Sequence, residues 1–314
     1  MVQMPQKLVV DGQELAVLCF NPDHKGPPII LLHGLTHSIY AWWYDRFLWQ
    51  YGRCYSLSLP GHPPATSIGS FDSSVLQPER LAALLSNAIQ QLVGDQPVIL
   101  MGLSTGGFAA LLLAAYIPSR VQGVISLAGF AQGQLINLWG LCQWLARQGE
   151  AGQLLIKRGF HLVRLNPASI NLGWASSIAS PATLLRRASI LQRLNTLMYP
   201  PARIFNLDIL VAYFETLYQI DISTMLPNIT APTLIIQGEQ DPIVPPTQGT
   251  HIARLVPQST LVMVPHVGHV LFVEDPERYE TLVGTRLAEL TQSPVPGVLE
   301  RSPLVNPLPV ETSV

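Results

Sequence analysis

The sequence predicts an α/β fold: a doubly wound, mainly parallel sheet with a helical cap. Three observations lead there. Short all-apolar runs recur along the chain, stretches with apolar spacing near 3.6 separate them, and one long interval breaks this alternation with helical periodicity alone. The runs Lys7–Val10 and Leu15–Phe20 come first, flanking Asp11-Gly12, a dipeptide suited to the positive φ angles of a tight hairpin turn. An antiparallel edge therefore begins the sheet. After the Gly26-Pro27-Pro28 breaker, Ile29-Ile30-Leu31-Leu32 is too short for a helix and apolar throughout, as in a strand buried on both faces. The pattern returns at Val98–Met101, Val121–Leu127, Thr233–Ile236 and Leu261–Val264. Pro78–Leu92, Gly106–Tyr116 and Pro276–Leu290 read as helices.

The interval from Gly129 to Ala231 is far longer than the dozen or so residues that a helical crossover needs. Its periodic stretches, Leu135–Leu145, Leu154–Leu165, Leu184–Leu197 and Leu207–Tyr218, contain no clear strand. The expected division is a core of residues 1–128 and 232–290, a helical cap of 129–231, and a disordered Pro-rich tail of 291–314 with five prolines and no apolar period.

Composition narrows the class of function. The 314 residues are 48% hydrophobic, ample for one large domain, and the formal net charge of −2 with no long Lys or Arg run argues against a nucleic-acid partner. Cys19, Cys54 and Cys142 are dispersed and odd in number, which argues against a disulfide framework and a clustered zinc site. Residues 1–11 lack the apolar core of a signal peptide, and no run reaches the ~18 apolar residues of a spanning helix, so the chain reads as cytoplasmic. Charged residues make up only 12% and mean hydropathy is +0.29. Against the ~25% charged residues of ordinary domains, some surface must be apolar or neutral.

The strongest chemical signal is Gly102-Leu103-Ser104-Thr105-Gly106, directly after a buried strand and directly before an apolar helix. A serine on such a turn is strained and exposed above the sheet edge, at a helix N-terminus that favours developing negative charge. Without that context, the same letters would be an ordinary glycine-rich turn. A serine hydroxyl needs a base within hydrogen-bond reach. Of eight histidines, His269 lies in the loop beyond the last strand, and Gly268 is expected to let the backbone turn sharply before it; His266 is the competitor. The imidazole in turn needs a partner on its other nitrogen. Asp241, just after strand Thr233–Ile236, fits, although Asp before Pro242 is also ordinary turn chemistry, and Glu239 is the fallback acid. Two N–H donors must meet an oxyanion. The amides of Thr105 and of Leu35, in the loop His33-Gly34-Leu35-Thr36, are the candidates.

These residues together resemble the α/β-hydrolase superfamily over about residues 8 to 290. The likeness rests on His33-Gly34, Leu59-Pro60-Gly61-His62, the Ser104 turn, Gly238-Glu239-Gln240-Asp241-Pro242-Ile243-Val244-Pro245, and Gly268-His269 followed by Glu274-Asp275-Pro276. It implies a mainly parallel eight-stranded sheet, a cap inserted after strand six, and no cofactor or metal. Two positions depart from the pattern. Ser58 stands where relatives usually carry an acid, which puts a structural hydrogen bond in doubt, and Thr105 is bulkier than usual after a nucleophile.

The expected function is hydrolysis of an apolar ester or thioester through an acyl-serine. Carbon–carbon hydrolases and cofactor-free acyltransferases share these residues, and a ligand receptor of low turnover is a reading of a different class. Superfamily members that open epoxides or remove halogens use an aspartate where Ser104 stands. Between Leu135 and Arg203 lie eight basic residues (Arg147, Lys157, Arg158, Arg164, Arg186, Arg187, Arg193, Arg203) and one acid, Glu150. With Trp139, Leu141, Trp144, Leu145, Leu154, Leu155, Ile156, Phe160 and Leu162 among them, this cap suits a peripheral lipid headgroup interface. The alternative is that those residues pack inward and roof a pocket.

Overall fold

In the computed structural model, which describes residues 4–65 and 71–292, the chain opens with β1 (Gln6–Val10) and β2 (Gln13–Phe20), an antiparallel hairpin turning at Asp11-Gly12. β3 (Pro28–Leu32) and β4 (Arg53–Leu57) follow, then α1 (Pro78–Val93), β5 (Val98–Leu103), α2 (Thr105–Tyr116) and β6 (Val121–Leu127). Among the described residues, one eight-stranded sheet runs β1-β2-β4-β3-β5-β6, completed by β7 (Thr233–Gly238) and β8 (Ser259–Val264). All pairings from β4 to β8 are parallel; β2 joins β1 and β4 antiparallel.

The all-apolar runs are explained by burial on both faces. Ile30, Leu32, Val98, Leu100 and Val124 face the layer containing α1 and α2, while Ile29, Leu31, Ile99, Met101 and Ile125 face the opposite layer. Alternate residues of one strand thus serve two cores.

Between β6 and β7 the chain is helical: α3 (Asn137–Ala146), α4 (Gly149–Val163), α5 (Asn171–Ala175), α6 (Ala182–Arg186), α7 (Ala188–Ile204) and α8 (Leu207–Gln219). The four periodic stretches of the sequence correspond to α3, α4, α7 and α8. The one-turn helices α5 and α6 are too short to show a period. α8 packs Leu210, Tyr213 and Phe214 into the main core, and the buried Tyr213 hydroxyl donates to the Pro60 carbonyl at 2.9 Å. A separate apolar cluster joins Ile170, Trp174, Ile178, Leu191 and Leu194 to Val270 and Val273, on either side of the helix start that follows β8. α9 (Thr247–Leu255), α10 (Leu271–Glu274) and α11 (Pro276–Thr291) complete the chain. The Pro-rich tail expected from residue 291 lies, after Gln292, outside the described residues.

Ser58 supplies the hydrogen bond that its position put in doubt. Its Oγ accepts from the Ala16 N–H at 2.8 Å, and its own N–H donates to the Ala16 carbonyl at 2.8 Å, prolonging the β2–β4 pairing into the loop. Ser58→Ala would strand the buried Ala16 N–H, and an unsatisfied buried donor costs about 1–3 kcal/mol. Chemical denaturation should show a loss of stability in that range.

Candidate active site

The sheet winds outward in both directions from the β3/β5 boundary, because β4 lies on one side of β3 and β5 on the other. At such a switch point the loops leaving two neighbouring strands diverge and open a crevice. His33–His37 leaves β3 there, and Ser104 leaves β5.

Ser104 has φ 55° and ψ −117°, a left-handed backbone that L residues adopt only under constraint. The constraint is close backbone packing. A Cβ at Gly102 would strike the Gly106 carbonyl, and one at Gly106 would strike the Leu32 carbonyl. The Ser104 N–H donates to Leu127 O at 2.8 Å, and Ser104 O accepts the first helical bond of α2 from Phe108 N–H at 2.9 Å. In a trans peptide the N–H points opposite the preceding carbonyl. With Ser104 O fixed into the helix, the Thr105 N–H is aimed outward at the helix N-terminus. The same argument holds at Leu35. Gly34 O accepts from His33 Nδ1 at 2.9 Å and from the His37 N–H at 3.0 Å, so the Leu35 N–H is turned the other way. The amides of Leu35 and Thr105 belong to residues lining one cavity of about 30 Å³ with Ser104 and His269.

Asp241 and His269 meet. His269 Nδ1 lies 2.8 Å from Asp241 Oδ2, with both side chains buried. The carboxylate has four donors: Oδ2 also accepts from Gln237 Nε2 at 2.8 Å, and Oδ1 accepts from the N–H groups of Ile243 and Val244 at 2.8 and 3.0 Å. Turn chemistry and the histidine bond are therefore both present, one on each oxygen. Gln237 carries no sequence signal; its role depends on pointing from β7 toward a residue four positions ahead. The competitors point elsewhere: His266 and Glu239 are exposed, and neither lines the cavity. The Ser104 hydroxyl makes no hydrogen bond among the described residues, and it shares its cavity with the His269 ring.

One expectation needs correction. The sharp turn before His269 is made by His266, with φ 61°, and Gly268 has no positive φ. Gly268 is required for space, because a Cβ there would crowd Ala179 N and Glu274 Oε1. Residues of the helical segment between β6 and β7 cross at that point. The His269 N–H donates to Ser177 O at 2.8 Å, while Glu274 accepts from Gly268 N–H at 2.9 Å and Ala179 N–H at 2.8 Å. Burial raises the Glu274 carboxyl above its ordinary range, against the pull of those N–H donors. The contacts of His269 with Ser177 and of Glu274 with Ala179 join residues some ninety positions apart, so no local pattern announces them.

Against the small cavity lies a larger one of about 320 Å³, and the two share Thr36, His37, Trp139 and Ser177. Its wall is apolar, with Leu145, Ile156, Phe160 and Leu210 among the lining residues, and it lies under α3, α4 and α7. The apolar residues of the helical segment between β6 and β7 divide between two tasks. Trp139, Leu145, Ile156 and Phe160 pack inward, while Leu141, Trp144, Leu154, Leu155 and Leu162 are about half exposed. Among the described residues, no group of three or more His, Cys, Asp or Glu side chains could hold a metal ion.

The chain matches the family model described as alpha/beta hydrolase fold over residues 27–276. It is 25% identical over 256 residues to a pimeloyl-acyl-carrier-protein methyl ester esterase of Nitrosomonas europaea, covering 81% of this chain and 93% of that protein. The enzyme of the same name from Nitrosospira multiformis is 26% identical over 263 residues, covering 81% and 92%. Among solved structures, an enol-lactonase from Burkholderia xenovorans superposes with a TM-score of 0.70 and 18% identity, over 90% of this chain and 100% of that one. At that identity the likeness is one of fold.

Three buried histidines set the acid behaviour of this region. Burial, reinforced by neighbouring histidines, holds His33 well below the ordinary 6.5 and His37 at about 4; burial also brings His62 to about 4, against the pull of nearby carbonyls. Between these values the unfolded chain binds protons that the folded chain refuses. Stability present above pH 6.5 is accordingly lost as pH falls toward 4. Buried Asp45, pushed up to about 7 by burial, and Glu274 act with the opposite sign in this window, so the histidine contribution is read as a difference: the melting temperature of His62→Gln should rise relative to wild type as pH falls from 6.5 to 4.

Proposed function

Since this chain belongs to the alpha/beta hydrolase fold family, we propose that it is a serine hydrolase that cleaves an apolar carboxylic ester through an acyl-serine intermediate. The observation that carries this reading is a buried His269–Asp241 pair, 2.8 Å apart, opening on the same cavity as a strained, hydroxyl-bearing Ser104. The names of the two methyl ester esterases and the family membership support ester chemistry.

Ser104 Oγ attacks the ester carbon while His269 Nε2 takes its proton. Asp241, acceptor of four hydrogen bonds, holds Nδ1 protonated and stabilises the imidazolium. The N–H groups of Leu35 and Thr105 receive the oxyanion at a helix N-terminus. His269 then protonates the departing alkoxide, and water, deprotonated by His269, releases the acid from Ser104. Catalytic hydrogen bonds are often unformed in a free enzyme and close only with substrate, which fits the unbonded Ser104 hydroxyl. The large apolar cavity is suited to the hydrocarbon part of the ester. A thioester would follow the same steps.

Cleavage of p-nitrophenyl esters is the test. Ser104→Ala and His269→Ala should each lose roughly 10⁴- to 10⁶-fold in kcat with the fold retained, because such residues act as a unit. An active His269→Ala beside a dead His266→Ala would sink the assignment, and a wild type without Ser104-dependent turnover would favour a receptor.

The cap is also suited to an anionic lipid surface. Leu138, Leu141, Leu155 and Leu172, each 47–60% exposed, line the large cavity. On α4 the exposed Arg158 stands one turn from Leu154 and from Leu162, an arrangement in which an arginine stem lies along apolar surface with its head in the headgroup layer. Some of the cap's cations have partners within the protein: Lys157 pairs with Asp208, Arg147 stacks over Tyr218, and Arg164 donates to the Phe205 carbonyl. Between Leu135 and Arg203 bases outnumber acids eight to one, and the Asp208 that offsets Lys157 lies just beyond that window. Co-sedimentation should show binding to anionic but not neutral vesicles, weakened by salt and by Arg158→Glu. Recovery in the supernatant at low salt would leave the cap as a pocket roof alone.

A further inference from the structure

His37 is a polar side chain at this site for which the acyl-transfer steps have no use. Its backbone N–H closes the turn that orients Leu35, but both ring nitrogens are shielded from solvent and neither has a hydrogen-bond partner among the described residues. Native proteins satisfy roughly nine in ten such groups, and an orphaned buried donor costs about 1–3 kcal/mol. Neither nitrogen is open to a water-sized atom as the ring lies, so a ligand oxygen meets the imidazole once the side chain turns toward a cavity.

Its position says which part of a ligand. The ring lies edge-on to Trp174, with centroids 6.0 Å apart, and borders the Ser104 cavity, the large apolar cavity and a third of about 10 Å³ beside Pro63 and Phe205. Of the residues shared by the first two, Ser177 donates its hydroxyl to Gly173 O and Trp139 its N–H to Ser176 Oγ, while the Thr36 hydroxyl, beside His37, makes no hydrogen bond among the described residues and can serve the same ligand atom. Arg164, also on the apolar wall, is spent on the carbonyls of Ala202 and Phe205. His37 keeps its full capacity. Burial, with His269 and His62 nearby, keeps the ring neutral down to about pH 4, so it offers one donor and one acceptor without charge.

We propose that His37 is a binding subsite for a second, uncharged oxygen of the substrate, lying a few atoms from the scissile carbonyl where the chain enters the apolar cavity. The preferred esters then carry an ether, hydroxyl or keto oxygen near the reacting carbon and hydrocarbon beyond it. This rests on the ester-hydrolase reading above.

Three acyl chains of equal length separate the possibilities: p-nitrophenyl hexanoate, propoxyacetate and 3-ethoxypropanoate, in which an ether oxygen replaces one CH₂ at two successive positions. For each protein the readout is kcat/KM of the ether esters divided by that of hexanoate, which cancels the intrinsic reactivity of the esters when variants are compared. Relative to wild type, His37→Phe should lower this ratio by roughly tenfold for the better ether ester, the size of one lost hydrogen bond. His37→Gln, which keeps a donor, should restore most of it. His37→Leu gives the same readout if the Phe variant does not fold. A ratio unchanged in these variants, with all esters slowed alike, overturns the subsite and leaves the hydrolase standing. Absence of Ser104-dependent turnover in the wild type overturns both.

Discussion

The backbone of α2 comes down directly onto the end of β3, with Gly106 against the Leu32 carbonyl and Gly102 beneath Gly106. That approach is what holds Ser104 at φ 55°, because a more relaxed backbone there would pull the helix off the strand. It also fixes where the neighbouring groups must be. The loop after β3 has to rise beside the start of α2, which brings the Leu35 and Thr105 amides to one cavity. Strain at one residue is thus supported by the packing of two backbones, and the neighbouring sheet core, apolar on both faces, supplies the stability that offsets it.

Electrostatics at the site are arranged by hydrogen bonding and burial more than by ion pairs. Asp241 is buried with four donors around its two oxygens, one of them His269, which satisfies a carboxylate without a lysine or arginine. The histidines His33, His37 and His62, by contrast, are kept neutral by burial. His33 and His62 spend that neutrality on structure: His33 Nδ1 holds Gly34 O while its Nε2 accepts from Leu59 N–H, and His62 Nε2 lies 2.6 Å from Leu35 O. Only His37 is left open.

The helical segment is tied to the His269 loop as well as lying over the cavities. Ser177 O accepts the His269 N–H, Glu274 bridges Gly268 and Ala179, and Val270 and Val273 complete the apolar cluster built by Ile170, Trp174 and Leu191. Movement of this segment would therefore be felt at the histidine. The same segment presents apolar side chains both inward, around the large cavity, and outward, at its rim. This divided duty accounts for a chain with few charges and positive mean hydropathy.

Much of this was legible in the sequence because it is local. Apolar runs of strand length, helical periods between them, and Gly-x-Ser-x-Gly at a strand-to-helix junction each depend on residues within a few positions of one another. The alternation of buried strands and helices then limited the topology to a wound parallel sheet, and the order of Ser104, Asp241 and His269 after β5, β7 and β8 nominated the site. What the tertiary structure alone decided comes from contacts between distant segments. It buried His269 against Asp241 and left His266 and Glu239 exposed, assigned the turn to His266 and the need for space to Gly268, and let Ser58 bond Ala16, forty-two positions away. It also brought Gln237 to Asp241, and left His37 without a partner at the meeting of three cavities. A sequence states which groups can hydrogen-bond, but whether a given donor is satisfied depends on what the folded chain places opposite it.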